Sequence, residues 1–172
     1  MKQHIVLVGL PGSGKTTVGR LVAEELQATL LDVDAILVRK EGRPIAAIFA
    51  EQGEAAFRTL ERREVDAALA QEPGVIVPGG GWAAQRGNLE AAKERGFVVY
   101  LKTRPETAAA RATPEGTRPV LLGEDPVLLM RTLLRAREPF YARADARVET
   151  DRLLARGVAS DVVRLARTSA GW

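Results

Sequence analysis

The sequence predicts an α/β fold, a three-layer sandwich in which helices cover both faces of a five-stranded parallel sheet. Short apolar runs alternate along the chain with stretches of helical periodicity. The first apolar run ends in a glycine-rich turn that leads directly into a helical pattern. A strand–helix–strand connection between parallel strands is almost always right-handed, so this alternation indicates a parallel sheet covered on both faces.

Five short runs are predicted to form the strands. The first, residues 5–8, is a continuous apolar run, as is typical of a strand buried on both faces. The others are residues 30–31, 75–77 and 97–101, with a weaker fifth strand over residues 147–150. Ligands of such sheets bind at the carboxyl ends of the strands, so the loops after the first three strands are expected at one edge.

The helices follow from apolar residues that recur every three or four positions. The first is predicted from about residue 16, on Val18, Leu21, Val22 and Leu26. A long, mainly helical region spans about residues 35–70, with breaks near 42–44 and at Gly53. A short helix over residues 89–95 is expected to end at Gly96, since glycine often stops a helix. The last helix is marked by Val158, Val162 and Leu165.

Length and composition limit the classes of protein and of site that the chain can form. The 172 residues suit a single domain, and the hydrophobic and charged fractions, 46% and 27%, are those of ordinary globular proteins. The chain has no cysteine, which excludes disulfides and thiolate metal sites. The first apolar run is too short for a signal peptide or a membrane span, so we expect a cytoplasmic protein without a membrane partner. No nucleic-acid partner is expected, because no basic run reaches five residues and few aromatic rings are available for stacking.

The segment GLPGSGKT, residues 9–16, carries the first chemistry. It matches G-x-x-x-x-G-K-[ST], follows a predicted strand and opens a predicted helix. Backbone N–H groups of such a loop point at phosphate oxygens, and the amino end of the helix adds a favourable dipole. Lys15 would reach the terminal phosphates and the Thr16 hydroxyl would bind Mg²⁺. The motif therefore predicts a P-loop fold that binds a nucleotide.

The phosphate loop does not by itself name the reaction. A GTPase would need an Asn-Lys-x-Asp signature, but the only asparagine, Asn88, is followed by leucine. An ATPase motor would normally be longer. A kinase for a small molecule or a nucleotide is therefore the favoured class.

Asp32 and Asp34 lie where the second predicted strand ends. In an extended segment, residues two apart face the same side, so both carboxylates would point the same way beside the phosphate loop. One could help to hold Mg²⁺, and the other could orient an acceptor hydroxyl and draw off its proton. The alternative is a polar strand end with capping aspartates.

Two further features stand out. Arg58 and Glu61 are three residues apart in the helical region and close enough to pair. From that segment alone, a solvated surface pair is the favoured interpretation. Residues 79–81 are three consecutive glycines directly after the third strand, where an aspartate for a metal is often expected.

Taken together, these segments resemble shikimate kinase, a family of the nucleoside-monophosphate-kinase-like P-loop group. The resemblance runs from Ile5 to about Arg164 and rests on six segments in the same order: GLPGSGKTT, LLDVDAIL, GRPIAAIFAEQGEAAFRTLE, GGG after a strand, GTRPVLL and RAREPFYARAD. It implies one kinase domain over residues 1–172, of P-loop kinase type. Its parts would be a phosphate loop at 9–16, a substrate-binding helical region at about 35–70 and a mobile lid at about 111–124.

The resemblance also implies a reaction. ATP would phosphorylate the 3-hydroxyl of shikimate to give shikimate 3-phosphate and ADP, in the biosynthesis of aromatic amino acids through chorismate. ATP and shikimate are the implied partners, Mg²⁺ is the implied cofactor, and a monomer is expected. The implied catalytic residues are Lys15, Asp34 and Arg118. The implied ATP-binding residues are Gly12, Ser13, Gly14, Lys15, Thr16, Thr17, Arg111 and Arg118.

The implied acceptor site draws on several segments. The substrate-binding residues would be Asp34, Arg58, Glu61, Gly79, Gly80, Gly81 and Arg137, and the metal-binding residues would be Thr16 and Asp32. The two arginines would clamp the carboxylate, with the glutamate in support. The three glycines would offer backbone to the ring, where a side chain would fill the pocket. The arginine of the lid would reach phosphate and substrate on closure, and Arg111 would lie near the adenine.

Two departures from the family pattern and two alternatives remain. Trp82 stands where the family usually has a small residue, so the pocket wall is expected to differ. Val120-Leu121 replaces the commoner Leu-Leu after Arg118-Pro119, which is a conservative change. Residues 150–156, which should cover the adenine, give no recognisable match. A gluconate or nucleoside-monophosphate kinase of similar fold is the alternative enzyme, and the triple glycine and RAREPFY disfavour it. A nucleotide-binding regulatory protein without chemistry would be expected to lack Asp34 or Arg118, and both are present.

Overall fold

The computed structural model describes residues 1–112 and 125–172. Most of the predicted lid, about residues 111–124, lies outside these described residues, and so does Arg118. Within the described ranges, the five predicted strands are present and helices separate them. No helix in these ranges is long and apolar enough to cross a lipid bilayer.

The strands form a single parallel sheet. They are β1 (His4–Val8), β2 (Leu30–Asp32), β3 (Val75–Val77), β4 (Gly96–Lys102) and β5 (Ala146–Glu149). Their order across the sheet is β2-β3-β1-β4-β5, and each neighbouring pair is parallel. The predicted five-stranded parallel sheet is confirmed.

The helices are α1 (Lys15–Leu26), α2 (Val33–Glu41), α3 (Ile45–Leu69), α4 (Asn88–Lys93), α5 (Pro105–Ala112), α6 (Pro126–Tyr141) and α7 (Ala155–Ser169). The predicted breaks in the long helical region are present. α2 ends before Gly42, which has a φ of 68°, and α3 is kinked at Gly53. The periodicity of the sequence did not predict α5 and α6.

Residues of β1 show why the fold has three layers. Successive side chains of a strand point to opposite faces. Accordingly, Ile5 and Leu7 belong to one hydrophobic cluster, which α1 and α7 complete. Val6 and Val8 belong to the other cluster, to which the remaining five helices contribute. The central strand is thus buried on both faces, and the sheet is the middle layer of a sandwich.

The predicted role of Gly96 as a helix stop is wrong. α4 is followed by Glu94 in right-handed helical conformation, and Gly96 is the first residue of β4. A Cβ atom at this position would lie 3.0 Å from the carbonyl oxygen of Ala92 and 3.0 Å from the side chain of Val6. Glycine therefore allows α4 to pack closely against the start of β4, and no turn requires it.

Candidate active site

A pocket of about 540 Å³ opens at the carboxyl ends of β1, β2 and β3. Its walls come from three loops that the sequence predicts at one edge of the sheet. The phosphate loop supplies one wall, Asp32 and Asp34 supply a second, and Val77 and Pro78 supply a third. This shared position confirms the expected convergence of the three loops.

The phosphate loop wraps around the amino end of α1. Gly14, with a φ of 89°, precedes the helix, and no side chain caps the first N–H groups. The first turn of α1 contains no acidic residue, so its positive dipole end is not neutralised locally. These features suit a bound phosphate.

Lys15 lies folded back within the loop. Its Nζ atom donates to the carbonyl oxygens of Gly9 and Leu10 at 2.9 and 2.8 Å. The side chain is almost fully buried, next to the buried Ser13. The predicted phosphate-binding residues therefore share one compact cradle, with Thr16 and Thr17 exposed at its rim.

The hydroxyl of Thr16 donates to Oδ2 of Asp32 at 3.0 Å. Oδ1 of the same carboxylate accepts the N–H of Ala35 at 3.2 Å and caps α2. Asp32 thus serves as a helix cap and also faces the phosphate loop. Oδ1 acts as the helix cap of the capping alternative, and Oδ2 faces Thr16, where the metal-site hypothesis places the ion.

The expected extended geometry of Asp34 is wrong. Asp32 is the last residue of β2, and Asp34 already lies in the first turn of α2. Both residues nevertheless line the same pocket, because the helix begins immediately at the strand end. Oδ1 of Asp34 lies 3.4 Å from the position that a Cβ at Gly79 would take.

Arg58 and Glu61 do not form a solvated surface pair. Nη1 of Arg58 donates to Oε1 of Glu61 at 2.9 Å, and the two side chains are 14% and 0% exposed. Nη2 also approaches Glu54 at 3.4 Å, a contact that the sequence did not predict. A mostly buried guanidinium held by a fully buried carboxylate is a positioned group, unlike the exposed pairs that are typical of helices.

The three glycines lie against the charged side chains of this site. A Cβ at Gly79 would clash with Glu61, and one at Gly81 would lie 2.6 Å from Cζ of Arg58. A Cβ at Gly80 would lie 2.9 Å from Pro11 of the phosphate loop and 3.2 Å from Nη1 of Arg137. The family resemblance implies that the glycines leave room for a substrate ring. In the structure, the protein's own guanidinium and carboxylate groups already take the space beside them.

The two arginines that are predicted to bind the carboxylate each have a hydrogen-bond donor that no described residue accepts. Nε of Arg58 and Nη1 of Arg137 are buried and have no hydrogen-bond partner among residues 1–112 and 125–172. A buried donor without an acceptor is costly unless a ligand supplies one. These two groups, at adjacent glycines, are therefore suited to a carboxylate.

Trp82 is a core residue, 1% exposed, within the cluster that α2 to α6 share with the sheet. Its backbone carbonyl accepts a hydrogen bond from the side chain of Asn88 at 2.9 Å. The departure from a small residue at this position is thus accommodated by packing behind the glycine turn. An effect of Trp82 on the pocket wall stays a prediction.

The two parts of the chain expected near the adenine do meet. Arg111, at the end of α5, lines the pocket, and its Nη1 lies 3.5 Å from Oγ1 of Thr150. The backbone N–H of Arg104 donates to both oxygens of Asp151, at 3.1 and 3.3 Å. Burial raises the pKa of Asp151, but hydrogen bonds and nearby arginines outweigh it and leave this pKa below its ordinary value.

Tyr141 is a site residue that the sequence did not reveal. It is the last residue of α6, and its buried hydroxyl donates to the carbonyl oxygen of Gly80. The ring stacks on Tyr100, with centroids 5.0 Å apart. The residue lies within RAREPFYARAD, but neither spacing nor charge marks it, because its contact depends on the tertiary fold.

The chain is similar in sequence and in structure to known shikimate kinases. The family model for shikimate kinase matches residues 11–167. A shikimate kinase from Symbiobacterium thermophilum is 44% identical over 163 residues, which cover 93% of this chain and 94% of that protein. A solved shikimate kinase from Acinetobacter baumannii, in complex with shikimate, is 38% identical with a TM-score of 0.93, covering 98% of this chain and 94% of that one. A gluconokinase from Sinorhizobium meliloti, 23% identical with a TM-score of 0.57 and coverage of 96% and 94%, shares the fold alone.

Proposed function

The chain belongs to the shikimate kinase family and phosphorylates the 3-hydroxyl of shikimate with ATP, and we propose how its residues share this reaction. The step is part of aromatic amino-acid biosynthesis. The observation that carries the proposal is the meeting of Asp34, Arg58, Glu61 and Arg137 at three consecutive glycines beside the phosphate loop.

Arg58 and Arg137 bind the carboxylate of shikimate in this proposal. Their buried donors support it, and planar guanidinium groups match a carboxylate in two-point contacts. Glu61 fixes the orientation of Arg58 through the 2.9 Å hydrogen bond and balances its charge. Residues 79–81 offer backbone to the ring of the substrate. The carboxylate site therefore sets which small acid is accepted.

Asp34 orients the acceptor hydroxyl and accepts its proton. The carboxylate lies between the phosphate loop and the glycine turn, which is where a hydroxyl would have to approach the terminal phosphate. Holding the two reactants in line is the main way in which enzymes accelerate phosphoryl transfer. Asp34 is thus the group on which the position of the acceptor depends.

Residues 12–17 bind the phosphates of ATP, and Arg111 lies beside the adenine. Lys15 contacts a phosphate from this position in the loop, since its ammonium group carries three donors and the carbonyls of Gly9 and Leu10 accept two of them. Thr16 and Asp32 would hold Mg²⁺, since a hydroxyl and a carboxylate oxygen 3.0 Å apart are ligands that this ion accepts together with phosphate oxygens. When bound, Mg²⁺ neutralises charge on the transferring phosphoryl group.

Arg118 keeps the role that the family resemblance gives it, contact with phosphate and substrate. We also propose that residues 1–172 act as one kinase domain and as a monomer, because one chain supplies both the phosphate loop and the acceptor site. A cytoplasmic location suits a reaction that consumes ATP.

An ADP-release assay with ATP, Mg²⁺ and one of four acceptors tests the function. Shikimate should be turned over far faster than quinate, gluconate or AMP. The Arg58→Gln variant should raise KM for shikimate, whereas Arg62→Gln, a matched control on the exposed side of α3, should not. Equal or better use of gluconate by the wild type would contradict the assignment.

A further inference from the structure

The carbonyl of Gly80 is anchored from α6. The hydroxyl of Tyr141 donates to it, and both residues are buried. Arg137 lies four residues earlier on the same helix, so both side chains project from one face of α6. Nη1 of Arg137 lies 3.2 Å from the Cβ position of Gly80. A single helix face therefore holds the turn and also presents one of the two clamp arginines to it.

The hydrogen bond to the carbonyl of Gly80 also fixes the direction of the N–H of Gly81. Peptide bonds among the described residues are all trans, so the carbonyl of Gly80 and the N–H of Gly81 point in opposite directions. Neither the N–H of Gly80 nor that of Gly81 donates to an acceptor within the described part of the chain. A glycine pair has wide conformational freedom, so without an anchor this peptide could rotate. The hydroxyl of Tyr141 removes that freedom.

The second tyrosine supports the first. Tyr100, on β4, stacks on Tyr141 at an interplanar angle of 28°, and its own hydroxyl donates to Glu138. Burial, together with that hydrogen bond and the charge of Glu138, raises the pKa of Tyr100 well above its ordinary value. The ring of Tyr141 is thus fixed by packing, while its hydroxyl is committed to the glycine turn.

We propose that Tyr141 is a positioning residue of the acceptor site. Its hydroxyl holds the Gly80–Gly81 peptide so that the N–H of Gly81 faces away from α6, as a donor for an oxygen of the bound acid beside Arg58 and Arg137. The inference rests on the proposed acceptor site. It concerns binding of the acceptor and leaves binding of ATP unaffected.

The test uses Tyr141→Phe, which keeps the stacked ring and removes the donor. KM for shikimate should rise about tenfold, because a buried carbonyl loses its partner and the turn is free to rotate. KM for ATP should change less than twofold. The matched control is Tyr100→Phe, which removes the other hydroxyl of the stacked pair and should leave KM for shikimate within twofold of the wild-type value.

A second measurement does not depend on removing the hydroxyl. The chain has only two tyrosines, so fluorotyrosine incorporated into Tyr100→Phe labels position 141 alone. Its ¹⁹F resonance should shift when shikimate is added and not when ATP is added.

An unchanged KM for shikimate in Tyr141→Phe, an equal rise in both KM values, or a resonance that does not respond to shikimate would overturn the positioning role. Wild-type enzyme that does not phosphorylate shikimate would instead overturn the function, and the inference with it.

Discussion

Replacing Gly81 by alanine should impair shikimate binding and leave ATP binding intact. The added Cβ would lie 2.6 Å from Cζ and 2.7 Å from Nη1 of Arg58. The φ of Gly81 lies outside the left-handed region, so the backbone accepts alanine without strain. The three atoms nearest to the added Cβ all belong to the guanidinium of Arg58, which stands at the end of a flexible side chain and must move.

The size of the effect follows from this displacement. Carbon atoms pack best at about 3.5–4.0 Å, so the guanidinium must retreat by roughly 1 Å. After that shift, the guanidinium cannot keep both its 2.9 Å hydrogen bond to Glu61 and its orientation toward the carboxylate of shikimate. A hydrogen bond to a charged group contributes about 1.5–3 kcal/mol, so loss of one should raise KM for shikimate about 10- to 100-fold.

Steady-state kinetics with each substrate varied in turn measure this effect, because KM does not depend on the fraction of folded enzyme. The control is Gly157→Ala in α7, where a Cβ would meet only the side chain of Leu153, at 3.4 Å or more. It should keep both KM values and gain up to about 1 kcal/mol of stability. If Gly81→Ala keeps its KM for shikimate within twofold of the wild type, the contact between turn and guanidinium is not what shapes the site.

Further predictions concern the two halves of the site and the fold. Lys15→Ala and Asp34→Asn should each lower kcat by at least about 100-fold. Calorimetry should show weakened nucleotide binding only for Lys15→Ala. If Asp34→Asn keeps near-native kcat, Asp34 has a structural role and does not act on the acceptor hydroxyl. Burial lowers the pKa of His4 below its ordinary 6.5, so the unfolded chain takes up this proton first as the pH falls. The free energy of unfolding, measured by urea titration, should therefore decrease from pH 7.5 to 5.5, and it should decrease less in His4→Gln. His4 is the only histidine. If the free energy of unfolding depends on pH equally in both proteins, His4 is not held neutral in the fold.

The sequence predicts best where function depends on contiguous residues. The phosphate loop needs only its own backbone and the start of α1, so Lys15 and Thr16 could be assigned from the motif. Strand and helix order follow from apolar periodicity, because β1, β3 and β4 are buried on both faces. These features require no knowledge of distant contacts.

Prediction fails where a residue acts through a distant part of the chain. Arg58 and Glu61 have the spacing of a surface pair, but α3 packs against the glycine turn, where Glu61 is fully buried and Arg58 is 14% exposed. The sequence predicts an extended segment at Asp34, because a helix that starts within one residue of a strand leaves no turn signal. Tyr141 reaches Gly80 across 61 residues, and no local pattern encodes such a contact.

The most direct test of the account compares kcat/KM of the wild-type enzyme for shikimate and for its methyl ester, which keeps the ring and hydroxyls but has no carboxylate. If the guanidinium groups of Arg58 and Arg137 recognise the carboxylate, the ester should be poorer by about 100-fold or more, since at least one charge-assisted contact is lost and the buried donors Nε of Arg58 and Nη1 of Arg137 lose their charged acceptor. Equal kcat/KM values for the two compounds would show that the acceptor carboxylate is not recognised at the glycine turn, and the proposed acceptor site would be wrong.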